Sequence, residues 1–303
     1  VSRKGWLLFG ALCVIWGIPY LLIRVAVRDF SPPALVFFRT APAALLLLPP
    51  AIHHGQLRRV LSRWRWVLVF TAVEVAGPWL LLARAEQHLS SSVTGLLIAG
   101  VPLIGAVIYG FVPGMERLDG RRLLGLVVGL AGVAALVGID VGQLDLLALG
   151  EVGLVVLGYA AGPLVISRRL ADLPGLGVTA VAVTVTAIGY APLALTHLPR
   201  SPSAEAVAAV AGLAVLCTAV AFVIFFALIL EVGPARSTVV TYVNPLVAVL
   251  LGVVLLNEPF TVGIAVGLPL ILAGSVLATA RPVESGRTAP SVSRHAAPVK
   301  EGP

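Results

Sequence analysis

Long apolar runs alternate with short polar breaks along the whole chain. The runs fall near 5–24, 33–50, 66–84, 92–113, 121–139, 147–166, 177–198, 205–230, 236–256 and 261–280. A bilayer-spanning helix needs about 20 mostly apolar residues, a length that each run meets or approaches. The pattern predicts an all-α integral membrane protein of ten transmembrane helices. Residues 281–303, rich in Pro, Ser, Ala and Arg, predict a disordered cytoplasmic tail.

Composition supports this class and excludes a soluble one. Hydrophobic residues make up 59% of the chain and charged residues 12%, with a mean hydropathy of +1.03. Soluble domains carry about 25% charged residues, so one globular core could not hide this much apolar surface. Many of the Gly and Pro residues sit inside the apolar runs, where they suit close helix packing and broken helices. Val1-Ser2-Arg3-Lys4 ahead of an apolar run imitates a signal peptide, but continuation into further runs makes it the first transmembrane helix.

The net charge of +7 is a topology signal and does not point to nucleic acid, because the basic residues sit in the short breaks. With ten spans, Arg3, Lys4, Arg58, Arg59, Arg63, Arg65, Arg117, Arg121, Arg122, Arg168, Arg169, Arg236 and the basic tail fall on one side. The other side holds Arg24, Arg28, Arg84 and Arg200, and the break around Asp140 and Asp145 holds no base. The positive-inside rule then puts both termini in the cytoplasm of a multi-pass protein of the cytoplasmic (inner) cell membrane.

The chain also resembles itself at a spacing of 142 to 144 residues. Trp16-Gly17-Ile18-Pro19 and Arg24 fall opposite Ala160-Ala161-Gly162-Pro163 and Arg168. Gly100-Val101-Pro102-Leu103 falls opposite Val243-Asn244-Pro245-Leu246, and Met115-Glu116-Arg117-Leu118-Asp119 opposite Asn257-Glu258-Pro259-Phe260-Thr261. Gly125 and Gly132 match Gly267 and Gly274. Two five-helix units are therefore expected, over 5–139 and 147–280. Five is odd, so the second unit enters the membrane inverted, as in secondary transporters with a site between their halves.

Taken in order, Trp16-Gly17, Ser31-Pro32, the Arg39 of Phe37-Phe38-Arg39-Thr40, Pro102 and Pro245, and the Glu116 and Glu258 that follow resemble a known pattern. Residues 5–280 resemble EamA-type transporters of the drug/metabolite transporter superfamily. The resemblance implies ten helices around a central cavity, usually in exporters of amino acids, other metabolites or drugs. One departure is that Ala160 stands opposite Trp16, with Tyr159 beside it.

Arg39 and Glu74 are ionisable residues inside apolar runs, where a charge costs about 2.5–3.5 kcal/mol and marks an ion pair or a wet cavity. Two readings follow: a structural pair locking the second and third helices, or ligands for substrate or proton. Trp16, Tyr20, Trp79 and Tyr242 are candidate cavity walls, since their rings combine an apolar body with a polar tip. Asn244, beside Pro245, can bond substrate or a freed carbonyl. Pro19, Pro102, Pro163 and Pro245 remove backbone donors within spans and are candidate hinges. Glu116, Asp119, Glu258 and Thr261 are read as structural caps of the following helices.

No metal or cofactor is expected, because His53, His54 and His88 lack partners at ligand spacing and no HExxH, P-loop or GxSxG motif occurs. The expected partners are the lipid bilayer and a small-molecule substrate. The leading function is secondary transport by alternating access, driven by a gradient. An integral-membrane enzyme on lipid or isoprenoid substrates is the alternative, although it would carry paired Asp or His–Asp groups at one membrane face. A non-catalytic scaffold leaves the midspan charges without a use.

Overall fold

The computed structural model describes residues 2–112, 119–139, 145–233, 237 and 239–279. The tail and Glu116 lie outside the described residues. The described regular structure is helical throughout: α1 (Arg3–Ala26), α2 (Pro32–His53), α3 (Trp64–Ala85), α4 (Ser91–Gly110), α5 (Gly120–Ile139), α6 (Leu146–Leu170), α7 (Gly175–Thr196), α8 (Ala204–Val232), α9 (Val240–Leu256) and α10 (Val262–Thr279). A short helix, Leu57–Leu61, leads into α3. Among the described residues, nine helices are long and apolar enough to cross a bilayer, and α9 is an apolar helix of 17 residues. At 1.5 Å per residue α9 is about 26 Å long, a little under the roughly 30 Å hydrocarbon core.

The principal helix pairs match when the first five helices are exchanged for the last five, although the contacts of α4 with α10 and with α1 have no equal on the other side. Helix α5 lies on α10, α2 on α7 and α4 on α9, while α3 lies on α6 as α1 lies on α8. Small residues make the closest of these contacts. A Cβ on Gly125 would strike the backbone of Gly274 and Ala278, and one on Gly274 would strike the backbone of Gly129. The α5–α10 pair therefore touches backbone to backbone, the use expected of small residues where helices associate in lipid. Gly274→Val is expected to separate the pair and destabilise the protein by about 1–3 kcal/mol, seen as a lowered melting midpoint in detergent. An unchanged midpoint would show that the pair contributes little.

The repeated prolines act differently in the two halves. Pro19 follows a junction at Ile18 that divides α1, and Pro102 follows a turn at Ala99–Gly100 that divides α4. Pro163 and Pro245 lie inside continuous helix. A second repeated feature was not visible in the sequence: α3 widens into a π segment at Thr71–Ala76 and α8 does so at Val215–Val220, 144 residues later. In α3 the cause is local. Pro78 has no N–H to return to Glu74, and the N–H of Gly77 reaches back five residues to Ala72.

Acidic side chains fasten helix starts. Asp119 accepts from the N–H of Arg122 at 2.8 Å, and Thr261 Oγ1 from that of Ile264 at 3.1 Å. Glu258 acts elsewhere than expected. Its carboxylate accepts the N–H groups of Ser91 and Ser92 at 2.7 and 2.9 Å and the Ser92 hydroxyl at 2.5 Å, so it caps α4 and not its own helix. The spacing to Thr261 suggested a local cap, but the close approach of α9 to α4 at Gly252 brings the α4 start nearer. Asp29 does the same for α8, accepting from the N–H and hydroxyl of its cap residue Ser203 at 2.8 and 2.5 Å. Those hydrogen bonds hold the Asp29 carboxyl below its ordinary range.

Candidate functional site

The π segments of α3 and α8 supply Glu74 and Thr218 to the most unusual polar contacts of the bundle, and α6 ends in a further π segment at Ile166–Leu170. Arg39, on α2, is only 7% exposed. Its Nε donates to Thr218 Oγ1 at 3.2 Å, and Thr218 in turn donates to the Leu213 carbonyl, 2.8 Å away. Thr218 thus spends its one proton on its own helix and keeps a lone pair for the guanidinium. The other face of that guanidinium lies 3.6 Å from the centre of the Trp79 ring on α3, a cation–π geometry.

Glu74 sits on the π segment of α3, at the position that the 144-residue spacing matches to Thr218. Its carboxylate lies against the Cα of Gly162 on α6, where any Cβ would overlap Oε2. One turn earlier, Gly158 makes room for the Val73 carbonyl and Pro78. Only glycine at both positions lets α6 approach the widened helix this closely. Gly162→Ala is expected to displace the Glu74 carboxylate and reduce transport while the protein still inserts and purifies; transport at the wild-type rate would show that the approach is dispensable.

Arg39 and Glu74 do not form the direct ion pair that was one of the two expectations. Arg39 is held by Thr218 and Trp79, and Glu74 Oε2 is buried without a hydrogen-bond partner. Tyr159, on α6, lies within electrostatic reach of both. Glu74 and Tyr159 are both half-buried. Two more tyrosines tie the neighbouring helices together: Tyr109 donates to the Ala160 carbonyl at 3.1 Å and Tyr190 to the Ala76 carbonyl at 3.0 Å.

The other expected cavity residues divide. Tyr20 is buried against Gly95 and Ala248, within reach of Arg39 and Tyr159, so it joins Arg39, Glu74 and Trp79. Trp16 packs on Phe222 and Phe225, with ring centroids 5.9 and 4.9 Å away. The Tyr242 hydroxyl pairs with Thr279 on α10. With its amide turned so that the NH2 faces acceptors, Asn244 donates to the Cys13 carbonyl on α1 at 3.2 Å and to the Val240 carbonyl at 2.9 Å, tying α9 to α1. These three are placed by packing between helices and stand apart from the polar layer.

Glu86 was missed by sequence reasoning. It follows α3 by one residue and reads as a loop acid, yet it is 0% exposed and neither carboxyl oxygen has a hydrogen-bond partner. Arg24 donates to its backbone carbonyl and not to its carboxyl. Burial and the nearby Glu258 hold this carboxyl well above the ordinary carboxylate range, against the opposing pull of Arg24 and Arg39. Glu151, near the start of α6, is also buried but is paired with Arg84 at 2.6 Å.

Comparison with known proteins agrees with the motif resemblance. The profile of the EamA-like transporter family matches residues 3–138 and again 149–280. The chain belongs to the EamA-like transporter family and is a multi-pass membrane transporter. It is 31% identical to the "Uncharacterized inner membrane transporter YedA" of Escherichia coli (strain K12), over 91% of this chain and 94% of that one. An "Uncharacterized transporter" of Archaeoglobus fulgidus is 25% identical, over 93% and 99% of the two chains. A solved structure described as "Crystal structure of protein" matches with a TM-score of 0.66 and 21% identity, covering 92% of this chain and 97% of that one, a likeness of fold.

Proposed function

We propose that this transporter is a secondary carrier that moves a small amino acid-like or drug-like metabolite across the cytoplasmic membrane by alternating access, in the direction of export. The observation that carries this reading is the polar layer, in which Arg39 and Glu74 lie deep in an apolar bundle without a direct pair between them. A charge kept in that setting is functional by default. An arginine and a carboxyl group, both within electrostatic reach of Tyr159, suit a zwitterion, with its acid on Arg39 and its amine toward Glu74.

The matching of the principal helix pairs supports two inverted halves, 5–139 and 147–280, that rock about this layer. The divided α1 and α4 give Pro19 and Pro102 positions where such motion can bend, while Pro163 and Pro245 would act as milder hinges within helices. The loop charges orient both termini toward the cytoplasm, which puts Glu86 and Glu258 at the outer end of the path.

The test is a thermal-shift screen of purified protein against amino acids, sugars, nucleosides and cationic drugs. Stabilisation by a zwitterion or carboxylate supports the reading. Failure of every compound, with a lipid raising the midpoint instead, contradicts it. Glu74→Gln is expected to alter uptake into proteoliposomes or its pH dependence, and unchanged flux across pH would remove Glu74 from the path.

A further inference from the structure

Glu86 lies beyond the central layer, at the end of the bundle where α1 and α3 finish and α4 starts. The charged and titratable groups that face it among the described residues are Arg24 and Tyr20 from α1, Arg39 from α2 and Glu258 from the α9–α10 connection. Arg24 is occupied by the Glu86 backbone carbonyl, Arg39 by Thr218 and Trp79, and Arg84 on the preceding turn by Glu151. Glu258 is saturated by the α4 start, with three donors on its two oxygens. Glu86 has no donor at all, and the Ser91 and Thr94 hydroxyl oxygens at the same end are also buried without partners. A carboxylate in that place would be a second negative charge with no hydrogen bond, whereas a neutral acid fits.

We propose that Glu86 is a reversible proton-binding site that keeps this end of the bundle closed while protonated and opens it on deprotonation. The ionised form needs a hydrogen-bond donor, and at 0% exposure no protein donor reaches its oxygens in this packing. Losing the proton therefore favours a state in which α4 and the α9–α10 connection move away from α3. Proton binding and closure are linked because the two conformations differ in affinity for the proton. This rests on the alternating-access reading, in which one end of the path opens at a time, and it supplies that cycle with a proton as driving ion.

Two measurements test it, neither requiring the substrate. Infrared difference spectroscopy of the purified protein in nanodiscs is expected to show a protonated-carboxyl C=O band at neutral pH that titrates away in alkali. The component assigned to Glu86 should be lost in Glu86→Gln, retained in Glu74→Gln, and present with an altered midpoint in Glu86→Asp, while any component from Glu74 survives the Glu86 changes. In a background lacking Cys13 and Cys217, Ser91→Cys is expected to react with N-ethylmaleimide several-fold faster at alkaline than at neutral pH. That acceleration is measured relative to the same protein carrying Glu86→Gln at each pH. A band unaffected by Glu86→Gln, or parallel labelling with and without Glu86, overturns the proposal. A band displaced by sodium chloride but not by choline chloride overturns it in favour of a sodium site. If the thermal-shift screen fails while the band titrates as expected, the substrate reading falls and the proton site stands.

Discussion

Arg39→Met is expected to abolish ligand recognition and to leave the protein as stable as wild type, or more so. The guanidinium is buried with one hydrogen bond and one aromatic face, and it has no direct carboxylate partner among the described ion pairs. Replacing a buried charge by an apolar group of similar volume is often neutral or stabilising. A bound carboxylate would lose its charged partner, and truncation at such a contact costs about 2 kcal/mol or more, a rise in Kd of at least about 30-fold. Thermal melting and ligand titration of the same preparation separate the two effects. A large fall in midpoint would instead give Arg39 a structural role, with Thr218 and Trp79 as its purpose.

Glu258→Ala is expected to destabilise the protein more than Gly274→Val does. It removes three hydrogen bonds and leaves two N–H groups at the start of α4 without partners. Hydrogen bonds to charged groups and helix caps together put the loss at about 2–4 kcal/mol. Glu258→Gln, which keeps one acceptor, should fall between. Gly252→Ala should mimic the loss, because a Cβ there collides with the Glu258 carboxylate and the Ser92 hydroxyl. Melting curves followed by tryptophan fluorescence provide the readout, and an Ala variant that melts with wild type contradicts the cap.

These two cases show why the sequence disclosed the frame more readily than the site. Apolar runs and loop charges are properties of composition along the chain, so the helices were legible, and Arg39 and Glu74 stood out as charges within runs. Their partners were not legible. Arg39 meets Thr218 from 179 positions away, and Glu258 meets Ser91 and Ser92 from 167 and 166. Such pairings depend on which helices adjoin, which hydropathy does not encode. The α3 π segment has a local cause in Pro78, yet α8 widens without a proline at the matching place, so tertiary packing shapes it. Glu86 was hidden for a simpler reason. One residue past an apolar run, an acid reads as solvated, and only the helices that close over it reveal that it is not.

Substrate is expected to bind at the polar layer, and the chain carries its own reporter there. Cys217 is 1% exposed, lies on the π segment of α8 beside Thr218, and is within electrostatic reach of Arg39. In a Cys13→Ser background, the rate of Cys217 alkylation by N-ethylmaleimide can be followed with and without a compound that stabilises the protein. The layer predicts that the compound slows alkylation in the otherwise wild-type protein and leaves it unchanged in Arg39→Met. A stabilising compound that leaves the Cys217 rate untouched in both would place its site elsewhere and contradict the account.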